Sequence, residues 1–91
     1  MKHAGAQALD RLEPLLEKIR AVRTLKEKSR GVFYRRSRAF LHFHEDRAGI
    51  FADIRAEDGE GFDRLKVDEA AGAEALIARV SELTAQVGTH D

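Results

Sequence analysis

Ninety-one residues carry sixteen basic and sixteen acidic side chains, and a 43% hydrophobic content separates the chain from disordered sequences. That length suits a single domain, residues 1–91, able to bury a modest core without staples. There is no cysteine, which excludes disulfides and thiolate metal sites, and no apolar run nears the roughly 20 residues of a bilayer span.

The zero net charge conceals an asymmetry. Between Lys18 and Arg38 lie nine Lys or Arg against Glu27 alone, whereas from Glu45 onward acidic residues outnumber basic ones twelve to five. Either a basic surface meets an anionic partner, or the two halves complement each other within one chain or across a dimer. "MKHAGAQALD" lacks the apolar core of a signal peptide, so the expectation is a cytoplasmic protein of bacterial type.

The first element reads as a helix, with Leu9, Leu12, Leu16, Ile19 and Val22 at spacings of three and four. Pro14 is best tolerated in a first helical turn, where its missing N–H would have no partner anyway. The spacing therefore predicts a firm helix over 13–23, with residues 1–12 as a loose lead-in. "TLKEKSRG" closes the segment, Gly31 supplying a left-handed backbone.

From Gly31 the period changes to alternation. "RRSR", "DRAG" and "DGEG" punctuate a stretch rich in aromatic and β-branched residues, which predicts four antiparallel strands near 32–35, 39–45, 50–57 and 62–67. A second helix follows. Asp68 is its expected N-cap, Ala73, Leu76, Ile77, Val80, Leu83 and Val87 form its apolar stripe, and Gly88 ends it. The order α-β-β-β-β-α predicts a two-layer α+β domain, a meander sheet with both helices on one face.

Register then decides which way "AFLHFHED" faces. If "DRAG" closes a hairpin, Glu45 pairs with Ile50, His44 with Phe51 and His42 with Asp53. Leu41, Phe43, Ile50, Ala52, Ile54, Leu65 and Val67 then share the face that the helices cover. Phe40, His42, His44, Phe51, Asp53, Arg55, Phe62, Arg64 and Lys66 share the other. Three Phe side chains on an open face make a larger apolar patch than a monomer normally shows.

Four readings compete for this surface. His42 and His44 project to one side with Asp53 opposite, a two-His, one-carboxylate set of metal-ligating type; otherwise they are a half-exposed pair with His42 hydrogen-bonded to Asp53. A His held by a carboxylate is also half of a catalytic triad. No nucleophile completes it, since Ser29, Ser37 and Ser81 stand in no catalytic context. The basic segment, through Arg20, Arg23, Lys26, Lys28, Arg30, Arg35, Arg36 and Arg38, points to nucleic acid or another anion. Arg36 to Phe43, "RSRAFLHF", partly echoes the central strand of the RNA-recognition motif, although Ser37 and Arg38 depart from it and the element order differs. Self-association to a homodimer has the strongest physical motive, because it covers the three Phe.

"SRGVFYRRSRAFLHFHEDRAGIFADIRAEDGEGFDRLKV" resembles a group of small uncharacterised bacterial proteins that share a Gly-Val-Phe-Tyr hairpin, a Phe-Leu-His-Phe-His-Glu-Asp strand and a Phe-Ala-Asp strand, over about residues 29–67. It is more loosely similar to the MmcQ/YjbR-like and TfoX-like α+β domains. The first resemblance implies no activity, and the second implies a nucleic-acid role by analogy of fold alone.

The expectation is a non-catalytic interaction module without cofactor or membrane association. It would self-associate through Phe40, His42, His44, Phe51, Asp53 and Phe62. Anion binding by the basic segment is the alternative, and a metal at His42, His44 and Asp53 the third reading.

Overall fold

Pro14 divides the N-terminal helix. In the computed structural model, which describes residues 2–88 and side chains through Thr84, α1 covers Ala6–Arg11 and α2 covers Glu13–Arg20. Leu12 lies between them at φ −92° and ψ 1°, and Pro14 sits in the first turn of α2. The proline ring has no N–H to continue the ladder of α1, so a fresh helix starts. The lead-in is thus helical from Ala6, and α2 stops three residues short of Arg23.

Two further strands join the four expected. β1 (Lys2–His3) precedes α1, and β2 (Lys26–Ser29) follows α2. Then come β3 (Val32–Arg35), β4 (Arg38–Asp46), β5 (Gly49–Arg55), β6 (Phe62–Lys66) and α3 (Ala70–Gly88). "KEKS", expected as a helix exit, is instead an edge strand, and its charges suit an edge that must not pair with other chains. Gly31 takes the left-handed conformation at φ 80°, at the tip of the β2–β3 hairpin rather than at a helix end.

The sheet runs β2-β3-β4-β5-β6, an antiparallel meander, with β1 added alongside the far end of β4. The DRAG hairpin sets the expected register and carries it one pair further, Asp46 against Gly49. Leu41, Phe43, Ile50, Ala52, Ile54 and Val67 are all buried together with Leu16, Ile19, Leu76, Val80 and Leu83 from the helices. Helices and sheet thus form the two layers of an α+β fold, the helical layer lying on the predicted face. α3 begins at Ala70, two residues beyond Asp68, which pairs with Lys66 instead; Val87's side chain lies outside the described residues.

One residue breaks the parity argument. Phe33 pairs with Leu41 but Tyr34 pairs with Ala39, so β4 bulges at Phe40. An extra residue in one strand turns its side chain off the alternation. Phe40 is 3% exposed, belongs to the core cluster and borders the same depression as Leu83 of α3. It is therefore a core residue and no part of the outer face. No helix among the described residues is long and apolar enough to cross a membrane.

Candidate functional site

The site is built from the middle of the sheet outward. A cross-strand row runs His42 on β4, Asp53 on β5 and Arg64 on β6, because each is the direct partner of the next. His44 lies two residues along β4 on the same side, and β1 sets His3 directly opposite His44.

These side chains converge. The rings of His42 and His44 meet edge to face with centroids 4.9 Å apart, and His3 stacks at a tilt 4.7 Å from His44. Neighbouring same-face positions on a strand would otherwise leave the rings farther apart, so the close approach comes from both imidazoles leaning toward Asp53. His44 Nδ1 stands 3.0 Å from Asp53 Oδ2 and His42 Nδ1 stands 4.0 Å from the same oxygen. His44 rather than His42 is the nearer neighbour of the carboxylate, a correction to the expected His42–Asp53 hydrogen bond.

Neither contact is a hydrogen bond. Both Nδ1 atoms are buried and lack a hydrogen-bond partner among the described residues. Such atoms are uncommon in folded proteins and call for a reason. The donor atoms of His42, His44 and Asp53 lie within 4.8 Å of one another.

Electrostatics favours a neutral His42 and an ionised Asp53. Burial pushes the His42 pKa down, and the neighbouring His44 adds to the shift. Arg64 donates to both oxygens of Asp53, at 2.7 and 2.8 Å, and this holds the Asp53 carboxyl below its usual range. Asp53 is 6% exposed, so its charge needs that partner. The cluster therefore sets an anionic carboxylate beside a His42 imidazole that burial keeps neutral, and a metal ion binds imidazole and carboxylate in those states.

Of the surface residues expected from sequence, His42, His44, Phe51, Asp53 and Phe62 lie on the outer face and Phe40 does not. Phe62 packs against His42 at 4.9 Å between ring centroids, and the Arg55 guanidinium lies over the Phe62 ring at 4.6 Å. His3 is the member that sequence reasoning missed. Its only signal is parity with His44 in a strand of two residues, too short to read from a pattern.

The basic segment divides. Arg20 binds Glu13 and Glu27, Arg30 binds Asp10 and Glu13, and Lys28 lies 4.4 Å over the Tyr34 ring. Arg20 and Arg30 are thus neutralised by the N-terminal helices and by β2. Among the described residues no ion pair joins the basic segment to the acidic half from Glu45 onward. Arg23 and Lys26 are exposed, and Arg35, Arg36 and Arg38 gather elsewhere. Phe40 and Phe43, the aromatics of the RNA-motif echo, are both buried and have no free face on which a base would stack.

Comparison with protein-family models, with curated proteins and with solved structures finds no match to this chain.

Proposed function

We propose that the protein is a small cytoplasmic, non-catalytic binding module that takes up a divalent transition-metal ion between His42, His44 and Asp53 on the outer face of its sheet. The observation that supports this reading is the pair of unpartnered Nδ1 atoms turned toward one carboxylate oxygen. Imidazole nitrogen with carboxylate oxygen is a donor set that suits zinc, which favours four ligands. Among the described residues His3, beside His44, is the further imidazole that could complete it.

Zinc titration followed by calorimetry and thermal unfolding tests this. The expected result is one ion per chain and stabilisation by mass action, about 2.7 kcal/mol at a hundredfold excess over Kd. The double variant H42A/H44A should lose both. A zinc effect that persists in that variant, or no effect in the parent protein, removes the reading.

Self-association through the same face is a second reading, supported by Phe51 and Phe62, which stay half-exposed on the side away from the helices. Moving Phe40 into the core reduces the apolar motive for it. Light scattering after size exclusion, with and without zinc, should show a homodimer; a monomer at high concentration in both conditions removes this reading.

A further inference from the structure

Four arginines meet at the end of the sheet where β3 turns into β4 and β5 stops. Arg35 and Arg38 form the last pair of the hairpin, Arg36 sits in its two-residue turn, and Arg55 is the final residue of β5. Arg38 Nη2 and Arg55 Nη1 both donate to the Gly59 carbonyl, at 3.4 and 3.1 Å, and Arg55 Nε is fixed to Ala39 O at 2.7 Å. Two guanidinium groups are thereby drawn to a single neutral oxygen.

Among the described residues no carboxylate pairs with them. Arg20, Arg30, Arg64 and Arg79 each reach a carboxylate, whereas Arg35, Arg36, Arg38 and Arg55 have no ion pair among the described residues. Among the described residues Glu57 is the one acid in the wall of the depression they surround. That depression holds about 230 Å³ and also has Phe40, Ala56 and Leu83 in its lining. Arg35 lies over the Phe40 ring at 5.7 Å. Burial and the neighbouring Arg36 charge lower the Arg35 pKa, the mark of cations crowded without a counter-ion.

We propose that this depression binds the phosphate group of a small phosphorylated ligand. Planar guanidinium forks match phosphate oxygens in pairs, and Arg55 and Arg38 are already oriented by the Gly59 carbonyl. The small volume and the burial of Phe40 favour a compact ligand over a nucleic-acid strand, which needs an extended track and stacking faces.

Titration with inorganic pyrophosphate, and separately with an eight-residue single-stranded oligouridylate, tests the proposal. Variants are Arg36→Asn with Arg38→Gln, both exposed and replaced by residues tolerated there, and Arg23→Ala as a control away from the depression. Circular dichroism confirms folding of each. The expected result is saturable one-site pyrophosphate binding that weakens with salt, falls roughly tenfold or more in the double variant and is unchanged in R23A. Absence of saturable pyrophosphate binding overturns the proposal, as does equal binding by the double variant. Tight oligouridylate binding without pyrophosphate binding also overturns it and assigns the arginines to a nucleic-acid surface instead.

Discussion

Asp53 and Arg64 face each other across β5 and β6, and the guanidinium holds both carboxylate oxygens while leaving the side toward His42 and His44 open. A carboxylate oxygen accepts more than one partner, so Oδ2 can serve the arginine and a cation together. The two would still repel. Replacing Arg64 by Met keeps the stem and removes the charge, and zinc should then bind more tightly, by roughly tenfold for one nearby cation removed. Asp53→Asn should abolish binding. Weaker zinc binding in R64M would show that the arginine's orientation of the carboxylate outweighs its repulsion.

A second ionic arrangement bears on acid stability. Glu27 accepts from Arg20 Nε at 2.6 Å, from Arg20 Nη2 at 3.1 Å and from the Gly31 backbone N–H at 2.9 Å, tying α2 to the β2–β3 hairpin. The Arg20 hydrogen bond holds its carboxyl below the ordinary value of 4.5. A carboxyl whose folded pKa is depressed contributes stability above its unfolded pKa and loses it as pH falls through the lower folded value. Stability should therefore decline from about pH 4.5 downward. Glu27→Gln should cost about 1 kcal/mol or less at pH 7 and flatten that decline, read from urea midpoints at pH 7, 4.5 and 3. Parallel profiles for the two proteins would show that Glu27 carries no part of it.

The outer face was legible because parity propagates: a single hairpin, DRAG, fixes the side of every residue from Leu41 to Ile54. The same logic failed at Phe40, where a bulge resets the alternation and nothing local announces it. β2 was hidden because "KEKS" is polar throughout, as suits an exposed edge, and carries no apolar signal. His3 and the Arg38–Gly59 contact depend on pairings between distant segments, which no periodicity encodes.

The hairpin turn offers a prediction of opposite sign. Arg36 and Ser37 occupy the left-handed region at φ 53° and 71°, where a Cβ is crowded and glycine is favoured. Ser37→Gly should stabilise the fold by about 1 kcal/mol, a rise of roughly 4–8 °C in Tm for a chain of this size. A fall in Tm would mean that the serine side chain is worth more than the strain it bears.

Gly72 poses the reverse case, a helical glycine that should not be improved. Alanine is the better helix former by about 1 kcal/mol, so propensity alone favours Gly72→Ala. Packing opposes it: a Cβ built there would lie 1.6 Å from the Lys66 carbonyl oxygen and 2.7 Å from its carbon. The obstacle is the backbone of the β6–α3 junction and no rotamer moves it, so α3 itself would have to shift. That shift would disturb Leu76 and Val80, which are 0% and 1% exposed against the sheet. Overpacking of this kind costs on the order of 3 kcal/mol, more than the propensity gain. The exposed neighbour Ala71 supplies the comparison: Ala71→Gly should lose only the propensity difference of about 1 kcal/mol. Urea unfolding of both variants decides the matter, and a G72A protein as stable as the parent would mean that α3 does not rest on β6 as closely as this packing requires.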